Sequence, residues 1–280
     1  MTDDLLPAWS DAFTADAVQP LPLTGAMSAI TRDWAWGGST GKGIRVAVID
    51  SGIESDHPAL GGAVQGGVGI DYDPSAPDLL CYVEEPRPQD VFGHGTACAG
   101  IIHALAPEAA LYSVRVLGGD GRGRSLQFAA GINWAIANGM QVVNMSLSTS
   151  SEEYFGLFHQ LADEAYFHGV TVVSAVNNDR VPSYPSLYSS VISVAAHEKQ
   201  DPFTFYYNAK PPVEFGAPGI DVRVAWTNKG YITTTGNSFA APHVAGIVAL
   251  IRAKHPNLTP FQIKTILHAC ASNVGEAADK

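Results

Sequence analysis

An α/β fold, with a mostly parallel central sheet between two layers of helices, is what this 280-residue sequence predicts. Short β-branched runs recur along the chain, each too continuously apolar for a sheet with one wet face, and segments of helical apolar spacing lie between them. No Gly/Ser linker, charge block or internal repeat interrupts this alternation. It is therefore assigned to one domain over residues 40–274, preceded by a surface arm or short pro-segment at 1–39 and followed by a frayed tail at 275–280.

In chain order, the arm begins with MTDDLLPAWSDAFTADAVQP, which is acidic and lacks the basic flank and continuous apolar core of a secretory signal. IRVAVID (44–50) is the first strand, and its last residue is an acid entering the turn SGI. The proline- and acid-rich stretch 71–90, DYDPSAPDLLCYVEEPRPQD, is expected to be a long surface loop. Helix ACAGIIHAL (97–105), strand ALYSVRV (110–116), helix SLQFAAGINWAIANG (125–139) and strand QVVNMSL (141–147) follow. Then come helix YFGLFHQLADEAYFHG (154–169) and strands VTVVSAV (170–176) and VISVAA (191–196). In TTTGNSFAAPHVAGIVALI (233–251) a serine opens a long helix of small and apolar residues.

With 46% hydrophobic and 15% charged residues the chain has ample material for a core. Its formal charge of −11 repels phosphate backbones and anionic lipids, which argues against nucleic acid and membrane surfaces as partners. No apolar stretch is long enough to span a bilayer. The three cysteines, Cys81, Cys98 and Cys270, show neither metal-ligand spacing nor a disulfide framework, so a reducing cytoplasm is the expected location unless a leader has been removed.

In an open parallel sheet, function gathers at the carboxyl ends of strands. Asp50 closes such a strand and reads either as a turn aspartate or as a buried functional acid. His94, between Gly93 and Gly95, opens a helix; it is either a capping residue or a general base kept neutral by the helix dipole. Ser238 is either a helix N-cap or a nucleophile. A serine hydroxyl needs a histidine to take its proton, and that histidine needs a carboxylate to orient it, so the three residues together fill the roles of a hydrolytic triad.

VAVIDSGIESDHP, GHGTACAG and GNSFAAPHVAG, in the order Asp, His, Ser, resemble the three signature blocks of the subtilases, the subtilisin-like serine peptidases. The likeness extends from Gly41 to Ser272 and takes in GRGRSLQFAAGINWAIANGMQVVNMSLS. It implies a subtilisin-like three-layer α/β/α sandwich in which Ser238 is the nucleophile, His94 the base and then acid, and Asp50 its partner. It further implies an oxyanion donor in VVSAVNND: Asn178 is the residue that aligns, while its neighbour Asn177 leaves a one-residue ambiguity. An α/β-hydrolase is excluded by the order of the three residues. Cys98 lies along the His94 helix, which suits packing better than nucleophilic attack, although some subtilases carry a mercurial-sensitive cysteine at this place.

The resemblance also implies that an extended peptide or protein substrate is added as a strand between residues 120–124 and 145–149. The candidate contacts are Gly121, Arg122, Gly123, Ser146, Leu147 and Ser148, with Phe128 and Asn177 beside them. Ser148 and Asn177 stand where the family usually has glycine, so the pocket for the residue before the cut is expected to be narrow and polar, favouring small or polar residues. Arg122 and Arg124 either attract an acidic substrate or are solvated surface charges. Ala59 replaces the usual calcium-binding aspartate and the loop after the His94 helix is short. No cofactor or tightly held calcium is therefore expected, with weak sites left open in the 71–90 loop.

The arm is too short for a folded inhibitory propeptide but long enough to cross the active site as an inhibitory segment. Asn237 and Phe239 replace the threonine and methionine of many relatives. The function implied is an intracellular serine endopeptidase working through an acyl-enzyme, in general turnover or precursor maturation. A peptide ligase or macrocyclase on the same fold and an inactive peptide-binding module are the alternatives.

Overall fold

The β-branched runs form the strands expected of them, and they do so around a sheet wider than the sequence pattern shows. The computed structural model describes residues 7–22, 27 and 29–275. Its strands and helices, in chain order, are β1 (Leu21–Pro22), α1 (Arg32–Trp36), β2 (Arg45–Asp50), β3 (Val64–Tyr72), β4 (Leu80–Glu85), α2 (His94–Leu105), β5 (Ala110–Arg115), α3 (Ser125–Ala137), β6 (Val142–Met145) and α4 (Phe155–Phe167). They continue with β7 (Thr171–Ala175), β8 (Ile192–His197), β9 (Tyr206–Tyr207), β10 (Phe215–Pro218), β11 (Val222–Trp226), β12 (Gly230–Thr234), α5 (Asn237–Lys254), α6 (Pro260–Cys270) and β13 (Val274–Gly275).

The central sheet runs β4-β3-β5-β2-β6-β7-β8-β10-β9. Strands from β3 to β10 in that order are parallel, and β4 and β9 are antiparallel edges. One face buries Val46, Val48 and Val173 against α2 and α5; the other buries Ala47, Ile49 and Val172 against α3 and α4. This is the three-layer sandwich expected, with the central strands apolar on both sides because each side meets a helix. Strand β2 lies between β5 and β6, so Asp50 sits at the carboxyl edge near the centre of the sheet.

The expected 71–90 loop is corrected here: Leu80–Glu85 pairs antiparallel with β3, from Gly67 opposite Glu85 to Tyr72 opposite Leu80. Its apolar signal is weak because β4 is an edge strand with Tyr82 and Val83 exposed. The arm also contains more structure than a surface wrap. Thr31 caps α1 by accepting from Trp34 N, and Ala35 and Trp36 enter the core. Upstream, the 3-10 turn Ser10–Phe13 buries Phe13 against Val176, Ala195 and Val213. Strand β1 pairs with β13, so Gly275, the first residue of the expected tail, is opposite Pro22. Residues 1–6, 23–26, 28 and 276–280, which include parts of the arm and the rest of the tail, lie outside the described residues.

A candidate active site

Asp50 is fully buried at the end of β2, where its Oδ1 accepts from the backbone N–H of Ser51. His94 is the first residue of α2, and its Nδ1 lies 2.9 Å from both Asp50 carboxylate oxygens. Close approach of α2 to this turn depends on Gly95: a Cβ there would lie 2.0 Å from the Gly52 carbonyl oxygen and 3.1 Å from Asp50 Cβ. With Nδ1–H donated to Asp50, the other ring nitrogen, Nε2, is left to accept a proton.

The expected electrostatics of His94 are corrected by this contact. Burial opposes its charging, but the Asp50 carboxylate outweighs burial and holds the imidazole pKa well above the ordinary value. The Cys98 thiol, one helical turn on, is 3.9 Å from Nδ1 and 3.7 Å from Asp50 Oδ2. Burial pushes its pKa up, so it remains a neutral S–H at neutral pH. Asp50, His94 and Cys98 are also the one trio of potential metal ligands clustered among the described residues. A metal there must take Nδ1 from Asp50, which makes the cluster a poor resident metal site.

Ser238 is the second residue of α5, in the first turn, where backbone N–H groups have no helical acceptor. Its carbonyl is equally unusual. Pro242 lies four residues along the helix and has no N–H to return to Ser238 O. That oxygen instead accepts from Ser146 Oγ at 2.7 Å and from the Cys98 thiol at 3.6 Å. Ser146 is itself held by Asn144 Nδ2 at 3.0 Å. The nucleophile candidate is thus anchored to β6 and α2 through its own main chain. Its hydroxyl forms no hydrogen bond to the His94 ring here, as is common for catalytic contacts before substrate arrives.

His94, Ser238 and Asn178 open onto one cleft of about 530 Å³. Residues 121–123 and 146–148 line it together with Phe128 and Asn177, so every substrate-contact residue expected from the sequence meets there, while Asp50 stands behind His94. Gly121 has φ +70° and a Cβ on it would lie 3.2 Å from the Phe92 ring, so this wall of the cleft needs glycine. Asn178 and Asn177 are distinguished by their partners. Asn178 Oδ1 accepts from Asn237 N at 2.9 Å, which fixes the amide and leaves its NH₂ as the group free to donate. Asn177 Oδ1 accepts from Asp179 N and so closes a local turn. The two arginines also separate: Arg124 lies 3.9 Å over the Tyr72 ring, whereas Arg122 lines the cleft.

Two residues that sequence reasoning missed complete the site. Asp90 gathers five donors, from Ser51 Oγ, Phe92 N, Gly93 N, Thr96 N and Thr96 Oγ1, and so fixes the turn that carries His94. The available signal was the spacing of an acid four residues before the histidine. Ala8, in the arm, donates to Asn178 O at 2.7 Å and accepts from Asn237 Nδ2 at 3.0 Å; nothing in an alanine reports such contacts.

Comparison with known proteins gives a consistent picture. A family profile described as "Subtilase family" matches residues 41–280. The chain is 34% identical over 280 residues to the minor extracellular protease Epr of Bacillus subtilis strain 168, covering 96% of this chain and 40% of that protein. It is 36% identical over 249 residues to subtilisin BL of Lederbergia lenta, covering 85% of this chain and 87% of that one. A crystal structure of a cold-adapted subtilisin-like serine proteinase superposes with a TM-score of 0.66 at 26% identity, over 86% of this chain and 92% of the other.

Proposed function

The chain belongs to the subtilase family of serine peptidases, and from that premise we propose that it is an endopeptidase in which Asp50, His94 and Ser238 cleave peptides through an acyl-enzyme. The observation that carries this is the His94–Asp50 pair at 2.9 Å, opening onto the cleft that holds Ser238. In the mechanism that follows, His94 Nε2 takes the Ser238 proton as Oγ attacks the scissile carbonyl carbon. Asp50 keeps the ring in the Nδ1–H tautomer and stabilises its positive charge. Asn178 Nδ2–H and Ser238 N–H donate to the developing oxyanion. The imidazolium then protonates the departing amine, and a water deprotonated by the same histidine resolves the acyl-enzyme.

An extended substrate is read as pairing its backbone with residues 121–123 and 146–148 across the cleft. Ser148 and Asn177 support a preference for small or polar residues before the cut, and efficient cleavage after Phe or Tyr in a peptide library overturns it. Arg122, but not the Tyr72-stacked Arg124, is positioned to favour acidic residues upstream.

Activity independent of tightly bound calcium is proposed on the short passage from α2 to β5 and on Ala59 within the turn Pro58–Leu60; unfolding by EDTA refutes it. A cytoplasmic role, including precursor maturation, is supported by the exposed free thiol of Cys81, whereas the Bacillus subtilis relative is named extracellular. Fractionation of producing cells decides between the two locations. No helix among the described residues is long and apolar enough to cross a membrane.

The central test is fluorophosphonate labelling with mass-spectrometric location of the adduct. Labelling at Ser238 that is lost in His94→Ala supports the enzyme, and absence of labelling supports a binding module.

A further inference from the structure

The described part of the arm does not enter the cleft. None of its residues lines the cleft; it runs beside the loop that carries Asn178 and makes main-chain contacts there. The Ala8 peptide joins two residues on either side of the nucleophile's oxyanion site: its N–H binds Asn178 O at 2.7 Å and its carbonyl receives Asn237 Nδ2 at 3.0 Å. Asn237 is completely buried; its side-chain oxygen also accepts from Ala196 N at 2.9 Å and from Ser10 Oγ of the arm at 3.5 Å, and its amide also donates to Asn177 O at 3.1 Å. Its own N–H orients the Asn178 amide. The arm, Asn237 and Asn178 therefore form one hydrogen-bonded unit.

That unit is anchored by packing. Phe13 is 1% exposed among Val176, Ala195 and Val213, and Val176 leads directly into the Asn177–Asn178 turn. Gly216 makes room for the ring: a Cβ there would lie 2.4 Å from it. On the outside, Arg180 bonds Asp11 at 2.6 Å and lies 5.1 Å over the Trp9 ring.

We propose that residues 7–13 are a positioning strap for the oxyanion hole. The proposal rests on Asn178 being the oxyanion donor. Asn178 is exposed on a loop, and an oxyanion donor is effective only when held in place before charge develops. The strap supplies that restraint, so its loss lowers turnover. This is the opposite sign to an inhibitory segment, whose removal raises turnover.

The test uses the full chain with Phe13→Ala, which empties the anchor, and Ala8→Pro, which deletes the N–H to Asn178 O; the second serves alone if the first does not fold. Each is made with and without Asn178→Ala, and hydrolysis of an extended peptide p-nitroanilide is normalised to the fraction of Ser238 that takes up a fluorophosphonate. The expected result is a kcat about tenfold lower with KM within about twofold, and a further loss below about twofold when Asn178 is already alanine, because residues acting through one group are not additive. Unchanged or raised kcat in the arm variants overturns the strap, as does an equal loss in both backgrounds, which marks a general folding effect. If Asn178→Ala alone keeps full kcat, the oxyanion assignment fails and the strap fails with it; if it is impaired while the arm variants are normal, only the strap fails.

Discussion

Acidification from pH 7 to pH 5 is predicted to remove a large share of folding stability through two histidines that play no part in the chemistry. His243 is buried in α5 and donates Nδ1–H to Phe239 O, and burial lowers its pKa to about 4. His197, at the end of β8, donates Nε2–H to Thr204 O and accepts from Lys199 N, and burial again lowers its pKa to about 4. Against an ordinary value of 6.5, each binds fewer protons folded than unfolded. Their stabilisation is therefore complete above the unfolded pKa and is lost as pH falls toward the folded one. Integrated from pH 7 to pH 5, each loses about 2 kcal/mol. His94, whose pKa is raised, has the opposite slope and returns less than about 1 kcal/mol over the same window. A net loss of about 3 kcal/mol is large beside a typical total of about 5–15 kcal/mol.

The assay is denaturant unfolding at half-unit pH steps on Ser238→Ala, so that unfolded molecules are not digested by folded ones. Adding His243→Gln, which keeps a donor for Phe239 O but cannot titrate, should remove about two-thirds of the net loss. A change below about 1 kcal/mol across the window, or an unchanged slope in His243→Gln, refutes the reasoning.

Three further outcomes follow from the site. Because Asp50 raises the His94 pKa, the acid limb of kcat/KM should lie above the ordinary histidine range, and Asp50→Asn should shift it down while lowering activity; a limb below pH 6 in the parent counts against the pairing. Ser146→Ala leaves Ser238 O with only a thiol donor, so stability should fall by about 1–3 kcal/mol with a loss of kcat, measured by unfolding and turnover; unchanged values for both exclude the anchoring role. Phe239 packs 5.1 Å from the His94 ring, where an oxidisable thioether is common, so activity should survive mild peroxide; rapid inactivation with Cys98 unmodified contradicts this.

The strands that the sequence made legible, β2, β5, β6, β7 and β8, are those buried on both faces, where continuous β-branched runs are required. Strand β3 escaped notice because VQGGVGIDY is broken by glycines, and the structure shows why they are there: a Cβ on Gly67 would lie 2.1 Å from Ser113 O in the neighbouring strand. The hairpin β11–β12 was hidden for a different reason, since Asn228 and Lys229 adopt positive φ in a turn without a distinctive pair of turn residues. Helix α6 did carry a readable signal in Thr259, Pro260 and Gln262, a capping box with proline in its first turn.

By itself, then, the sequence determined the alternation of buried strands and helices and the three polar residues at their ends, because periodicity and special residue types are local properties. The arrangement around those residues was decided only in three dimensions. That Asp50 bonds His94 and raises its pKa, that Pro242 releases the Ser238 carbonyl to Ser146, and that Asn178 is tied to Ala8 are contacts between segments 44, 92 and 170 residues apart. Contacts of that range depend on the register and packing of the whole sheet, and no single segment contains them.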